Sequence, residues 1–171
     1  MVKRSLPAVE NERVRLRLLR SDDLPLTLRW RNQDHIRRWF FYSEPIAPEQ
    51  HSGWFEQYRQ RDDDFVFIIE DVQAGDQPVG QVALYHIDWM QGRAEFGRLM
   101  IGEASAAGKG LAFAATQLAL KIAFQDLALQ EVYLEVFADN QRAIGIYSGA
   151  GFQVKEQRGQ VVKMIVMPSA A

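Results

Sequence analysis

The residues best suited to chemistry begin with a short glycine-bearing turn, residues 102–110 (GEASAAGKG). From Leu111 onward, apolar residues recur at i, i+3, i+4, i+7 and i+11, which predicts an amphipathic helix. A helix that begins directly after such a turn has unpaired N–H groups and the positive end of its dipole there. These donors suit an anion, and small side chains let a phosphate approach the backbone. The segment Ala106-Ala107-Gly108-Lys109-Gly110 is therefore predicted to hold a pyrophosphate.

Two common phosphate-binding fingerprints do not fit this turn. A Walker A loop has four residues between its first Gly and its Gly-Lys pair, whereas five separate Gly102 from Gly108, and Gly110 follows Lys109. A dinucleotide-binding fingerprint would place a glycine where Phe113 stands. Taken alone, the turn is also compatible with a flexible connection between a strand and a helix that binds nothing.

A second segment adds a strand and another helix. Glu131–Phe137 (EVYLEVF) is rich in β-branched and aromatic residues, which is typical of a strand. Asp139 or Asn140 can cap the helix that follows. Three residues share one face of this helix: Ala143, Ile144 and Tyr147.

Together the two segments resemble the acetyl-CoA-binding core of the GNAT N-acetyltransferase superfamily. The resemblance is carried by Gly108-Lys109-Gly110-Leu111-Ala112 and by Asn140, Ala143, Tyr147 and Gly151-Phe152 at their relative spacing. It implies acetyl-CoA as the cofactor, bound by Leu99, Met100, Ile101, Ala106, Ala107, Gly108, Lys109, Gly110, Leu111, Ala112, Asn140, Ala143 and Tyr147. One position departs from the pattern, because Ser105 stands where the superfamily usually has Gln or Arg.

The order of predicted elements agrees with the fold that the resemblance implies. A strand, helices, an antiparallel meander and then alternating strands and helices indicate the α/β class with a mixed sheet. We expect a single GNAT domain over residues 1–171, with about seven mostly antiparallel, twisted strands flanked by about four helices. The resemblance adds a splay between the two central strands. Residues 1–12 and 168–171 are expected to be flexible.

Acetyl transfer to an amine requires a neutral amine and protonation of the departing thiolate. By resemblance, Tyr147 is the acid, since a phenol stays protonated at neutral pH; its alternative role is to fill core space. Glu95 ranks first as the base, because it lies on the strand beside the expected reaction centre. His86 ranks second, and Glu135 on the neighbouring strand is a further carboxylate. Each of these three residues also has a purely structural alternative role.

The amino-terminal half suggests a substrate. Trp30-Arg31-Asn32, His51-x-x-Trp54-Phe55, Ile87-Asp88 and Glu95-Phe96-Gly97 resemble the branch that acetylates nucleotide-linked amino sugars, as in pseudaminic acid synthesis. Arg31, Asn32 and His51 are then the expected substrate contacts, since a diphosphate-linked sugar needs cationic and amide partners. The ribosomal-protein alanine acetyltransferases share much of this layout. A non-catalytic acyl-CoA-binding module is the remaining alternative.

Composition narrows the class of protein further. A net charge of −2 argues against nucleic acid as the main partner, and the absence of cysteine excludes disulfides and thiol nucleophiles. The three histidines lack the H-x-x-x-H spacing, so no metal site is expected. No apolar run approaches the length of a membrane span, so we expect a cytoplasmic protein without a membrane partner. A monomer and a homodimer both fit the sequence.

Overall fold

A computed structural model describes residues 2–169, within which the chain forms eight strands and five α-helices. The strands are β1 Val9–Glu10, β2 Val14–Leu18, β3 Phe65–Asp71, β4 Gln77–Asp88, β5 Arg93–Ile101, β6 Glu131–Phe137, β7 Gln153–Arg158 and β8 Val161–Val166. The helices are α1 Leu24–Arg31, α2 Asp34–Arg37, α3 Pro48–Tyr58, α4 Leu111–Lys121 and α5 Gln141–Gly149. A π-helical turn, Ile122–Asp126, continues α4.

Local sequence explains where the main helices begin. Pro25 and Pro48 lie in the first turns of α1 and α3, where a missing N–H costs no hydrogen bond. Helix α4 begins at Leu111, directly after Gly110 in the left-handed region. The Asn140 side chain accepts a hydrogen bond from the Ala143 N–H and caps α5. The predicted starts of both carboxy-terminal helices are confirmed.

The strands form one sheet in the order β1-β2-β3-β4-β5-β6-β8-β7. Each neighbouring pair is antiparallel except β5 and β6, which are parallel and joined by the crossover helix α4. The expected mixed, mostly antiparallel sheet is confirmed. The strand beyond the expected seven is β1, which at two residues is too short to show a periodic pattern.

The two central strands separate along their length, as the resemblance implied. Strands β5 and β6 pair only through Arg93–Glu131, Ala94–Val132 and Glu95–Tyr133, although both continue for several residues beyond. Past that point each strand keeps its other neighbour, so the sheet opens into a V-shaped cleft. On the β5 side the pairing with β4 shifts register, and Arg98 has a positive φ of 55°. The bulge re-orients the β5 backbone at the edge of the cleft.

Two apolar clusters lie on opposite faces of the sheet. The larger packs α4 and α5 against one face, where Leu111, Leu118 and Phe96 are buried. The smaller packs α1–α3 against the other face, around the fully buried Trp30 and Ile68. The cleft between β5 and β6 therefore lies between the layer of α1–α3 on one face of the sheet and the layer of α4 and α5 on the other.

The terminal segments were expected to be flexible. Within the described part, β1 pairs with β2, and Arg4 forms an ion pair with Asp62 at 2.8 Å. The flexibility of these segments stays a prediction, and Met1, Ala170 and Ala171 lie outside the described residues. Across residues 2–169, no helix is both long enough and apolar enough to cross a membrane.

Candidate active site

The glycine-bearing turn presents free backbone donors. Gly108 and Gly110 both have φ of +76°, and an added Cβ would meet open space at either position. Gly110 is the N-cap residue of α4, and no side chain caps the helix there. Among residues 2–169, no group accepts a hydrogen bond from the amides of residues 108–113. The turn therefore has the donors that an anion requires.

Lys109 points away from these donors. Its Nζ lies 3.4 Å from the Asp71 carboxylate, and its carbonyl oxygen accepts a hydrogen bond from the Arg13 guanidinium. Alone among the thirteen predicted cofactor-binding residues, Lys109 does not line the cavity described below. Its contacts hold the turn on the side away from the cavity.

Gly102, the first residue of the turn, packs directly against the smaller apolar cluster. A Cβ at this position would lie 2.0 Å from the indole of Trp30, so only glycine fits. The Gly102 N–H donates to the carbonyl of Val79 at 2.7 Å. Trp30 of the smaller core thus sets where the strand ends and the turn begins.

A cavity of about 560 Å³ joins the turn to the opened strands. Twelve of the predicted cofactor-binding residues line it: Leu99, Met100, Ile101, Ala106, Ala107, Gly108, Gly110, Leu111, Ala112, Asn140, Ala143 and Tyr147. Its walls come from both β5 and β6 and from the first turns of both α4 and α5. One continuous space therefore connects free amides at one end with the cleft at the other.

Tyr147 is the buried phenol in this cavity. Its ring makes edge contacts with Phe96 and Phe152, with centroids 5.6 and 5.9 Å away. Burial raises the pKa of Tyr147 to about 12. Within the described chain its hydroxyl has no hydrogen-bond partner, although it belongs to the cavity wall. It is a neutral donor available to a ligand.

Asn140 both caps α5 and lines the cavity. Its Oδ1 accepts a hydrogen bond from the Ala143 N–H at 3.3 Å, which leaves the side-chain amide N–H groups without a role in the cap. Both residues line the cavity. The cap is observed, and contact with a pantetheine arm stays a prediction.

Two of the candidate bases, Glu95 and His86, form a hydrogen-bonded group with Tyr85 at the vertex of the cleft. Glu95 belongs to the last pair that joins β5 to β6. Its Oε1 lies 2.8 Å from Nδ1 of His86, and its Oε2 accepts a hydrogen bond from the Tyr85 hydroxyl at 3.1 Å. Neither Glu95 nor His86 lines the cavity, whereas Tyr85 and Glu135 do.

Two of the three expected substrate contacts hold a loop instead. The Arg31 guanidinium is buried and donates to the carbonyl of Tyr42; burial lowers its pKa. The Asn32 side chain forms two hydrogen bonds with the backbone of Ile46, at 2.8 and 2.9 Å. Neither residue lines the cavity. Both tether residues 42–46, the segment that follows α2.

His51, the third expected contact, lies within the helical layer. Its Nε2 is 2.8 Å from the Thr27 hydroxyl, and its ring stacks on Trp54 at 5.6 Å. Burial lowers the pKa of His51, so the neutral imidazole is favoured. It does not line the cavity, and its contacts join α1 to α3.

Residues 39–41, between α2 and the tethered segment, bring aromatic side chains over the cleft. Trp39, Phe40 and Phe41 line the cavity, and the Phe41 ring lies 4.7 Å from that of Phe137 on β6. Phe41 is nevertheless 57% exposed. Residues 39–41 therefore bridge the open end of the V from the α2 side to β6.

Comparison with known proteins settles the family. A profile of the acetyltransferase (GNAT) domain matches residues 13–153, most of the chain. The chain belongs to the GNAT acetyltransferase family. It is an N-acetyltransferase that uses acetyl-CoA, and the expected fold, enzyme class and cofactor are confirmed.

Several similar GNAT proteins are named for polyamine acetylation. The spermidine N(1)-acetyltransferase of Escherichia coli (strain K12) is 31% identical over 142 residues, which cover 83% of this chain and 74% of that protein. The structure of spermidine N-acetyltransferase from Vibrio cholerae, in complex with CoA and spermine, has a TM-score of 0.82 at 26% identity. The match covers 92% of this chain and 96% of that chain. A domain from Methanocaldococcus jannaschii shares the fold with a TM-score of 0.79 at 22% identity.

The finer resemblances drawn from the amino-terminal half are not supported. The similar proteins that are named for an activity are spermidine acetyltransferases rather than enzymes of nucleotide-linked sugars or of ribosomal proteins. The short motifs around Arg31 and His51 suggested the sugar branch, but in this structure they join helices and tether a loop. Packing roles of this kind do not carry information about the substrate.

Tyr85 and Arg98 are among the cavity residues that sequence reasoning missed. Tyr85 lies on β4 opposite β5, and Arg98 lies in the β5 bulge. The pattern Glu95-x-Gly97 contained a usable signal, because a glycine within a strand often marks the close approach of another group. That group is the Tyr85 hydroxyl, 2.7 Å from where a Gly97 Cβ would lie.

Proposed function

We propose that this protein transfers the acetyl group of acetyl-CoA to a primary amine of a polyamine such as spermidine. One observation supports the transfer step above all. A single cavity connects the free amides of residues 108–113, the buried hydroxyl of Tyr147 and the opened edges of β5 and β6. A diphosphate at the amides and a thioester in the cleft would place the reacting carbon beside Tyr147.

Residues of the cavity would act in each step of acetyl transfer. The amine nitrogen attacks the thioester carbon, and backbone donors at the β5 bulge, around Leu99, stabilise the oxyanion that forms. The carbon–sulfur bond then breaks as the acylated nitrogen loses its excess proton, which passes to the departing sulfur, and Tyr147 donates a hydrogen bond to that sulfur as it leaves. Direct attack of this kind needs no nucleophile from the protein.

The choice of a polyamine rests on the relatives and on charge. A relative named for spermidine acetylation is 31% identical over most of the chain, which supports the same class of substrate for this protein. On this chain, Glu135 lines the cavity and is exposed. Within residues 2–169 it lies in no ion pair, and its register partner on β8 is Lys163. An exposed carboxylate at the cavity suits a cationic amine.

A panel assay tests this function. Purified protein with acetyl-CoA would be given spermidine, spermine, a UDP-linked amino sugar and a peptide with an amino-terminal alanine, with thiol release followed over time. We expect the highest kcat/KM for a polyamine, and mass spectrometry should find a single acetyl group on a primary amine. A tenfold preference for the sugar or the peptide would contradict the polyamine assignment.

The same assay addresses the alternative of a non-catalytic binding module. If acetyl-CoA binds in calorimetry but no amine releases thiol, the protein would be a module of that class. A cytoplasmic location and the oligomeric state stay predictions.

A further inference from the structure

Tyr85 stands between the cavity and the candidate base. It belongs to the cavity wall, whereas Glu95 does not. The Tyr85 hydroxyl donates a hydrogen bond to Oε2 of Glu95 at 3.1 Å. A group in the cavity that must give a proton to Glu95 therefore meets the tyrosine first.

The position of this hydroxyl is built into β5. A Cβ on Gly97 would lie 2.7 Å from Tyr85 Oη and 3.2 Å from Cε1 of the ring, so any larger residue would displace the hydroxyl. The φ of Gly97 is not in the left-handed region, which means that its backbone does not itself require glycine. The glycine is needed for the space that Tyr85 occupies.

Two further residues fix this arrangement. The Arg98 guanidinium lies 3.9 Å from the centre of the Tyr85 ring and is itself held by Asp64. On the other side, His86 has a positive φ of 49°, an uncommon conformation for a non-glycine residue. The register shift at this point of β4 accompanies it, and Nδ1 of His86 reaches Oε1 of Glu95. Both oxygens of Glu95 are thereby engaged.

We propose that Tyr85 is a catalytic residue through which Glu95 takes the proton of the acceptor amine, with His86 and Arg98 as positioning residues. The proposal rests on the polyamine acetylation proposed above. It assigns a role to a residue that no sequence motif marked.

The transfer balances as two coupled proton movements. An N–H bond of the acceptor ammonium breaks as a bond to Tyr85 Oη forms, and the original Oη–H bond breaks as a bond to Glu95 Oε2 forms. The nitrogen lone pair is freed for attack, the tyrosine is unchanged, and Glu95 ends neutral. Glu95, 15% exposed at its side chain, returns the proton to water between turnovers.

The electrostatics favour a coupled transfer over a free tyrosinate. Burial raises the pKa of Tyr85, and the charge of Glu95 raises it further. An isolated anion on Oη would therefore be costly, whereas simultaneous gain and loss of a proton avoids it. The charged and titratable groups around this pair are His86, Arg98, Asp64 and Tyr133.

The test compares kcat and its pH profile, with saturating acetyl-CoA and spermidine, among matched variants of the full chain. Tyr85→Phe keeps the ring and should lower kcat about 10²-fold, the lower end of the range for lost acid–base catalysis. Glu95→Gln should lower it similarly and remove the acidic limb of the profile. The double variant should be no slower than the slower single variant, because the two groups act as a unit. Tyr133 lies opposite Glu95 and does not line the cavity. The kcat of Tyr133→Phe should therefore stay within threefold of wild type.

Gly97→Ala provides an independent variant if Tyr85→Phe folds poorly. Its methyl group should displace the hydroxyl and lower kcat, while adding little loss to a protein that already carries Tyr85→Phe. The proposal is overturned if Tyr85→Phe keeps kcat within threefold of wild type, if the losses multiply in the double variant, or if Glu135→Gln alone removes the acidic limb. Failure of the proposed function gives a different result, since wild type itself would then release little thiol with spermidine or would prefer the sugar or the peptide tenfold.

Discussion

At the scale of single residues, Tyr147 has a hydroxyl that is harder to deprotonate than a phenol in water. Burial raises the pKa of Tyr147 to about 12, above the ordinary thiol value of about 8.5, so complete proton transfer to the thiolate is uphill. We therefore propose that Tyr147 acts first as a hydrogen-bond donor to the developing thiolate. Removal of one such donor typically costs 10²–10³ in rate.

Tyr147→Phe should accordingly lower kcat about 10²-fold while the KM for acetyl-CoA changes less than threefold. The phenyl ring keeps its contacts with Phe96 and Phe152, so the free energy of unfolding should change little. Steady-state kinetics with a thermal melt of both proteins checks the two expectations together. Full activity in the Phe variant would remove Tyr147 from the mechanism.

The candidate site residues differ in how well the sequence alone predicts them. Tyr147 and the loop glycines belong to a local pattern whose spacing is visible in the chain. Tyr85 does not, because its position depends on pairing with β5 across a shifted register and on the space left at Gly97. Arg31 and His51 show the converse error: their chemistry suited a substrate, but burial assigned them to packing and tethering.

At the scale of elements, the turn before α4 can be tested with two glycines that share one conformation. Gly110 and Gly159 both have positive φ, and an added Cβ meets no atom within 4 Å at either site. Alanine should cost each protein about 1 kcal/mol of stability from the left-handed backbone. Only Gly110→Ala places a methyl group where the cavity approaches the free amides.

Calorimetry should therefore show acetyl-CoA binding weakened about tenfold by Gly110→Ala, equivalent to about 1.4 kcal/mol, and unchanged by Gly159→Ala. Equal affinity in the two variants would show that the amides of residues 108–113 do not hold the diphosphate. Thermal melts serve as the control, since both variants should lose similar stability.

Periodicity predicted most of these elements but not their irregular parts. The faces of α4 and α5 follow directly from the spacing of apolar residues. The aromatic residues after α2 do not, because Ile36, Trp39 and Phe40 have the i, i+3, i+4 spacing of a core-facing helix yet line the cavity. Their placement depends on tethers from Arg31 and Asn32, which are formed only in the folded chain.

At the scale of the whole molecule, the sheet is weakest where the site lies. Three residue pairs join β5 to β6, whereas β4 and β5 are paired along most of their length. The smaller core under α1–α3 and the larger core under α4 and α5 lie on opposite faces. Because residues of both β5 and β6 line the cavity, we expect a ligand in the cleft to bridge the two strands where backbone pairs are missing.

Hydrogen exchange can measure this bridging effect directly. At about a hundredfold excess over its Kd, a ligand that binds the native state alone adds about 2.7 kcal/mol of stability. We expect acetyl-CoA to slow exchange on both sides of the cleft, at residues 97–101 and 108–113 on one side and at residues 134–137 and the first turn of α5 on the other. Amides of β2, which lies away from the cleft, should slow only as far as global opening contributes to their exchange. Protection confined to the α4 side would mean that the bound molecule does not span the opened strands, and the acyl group would then lie outside the reach of Tyr147.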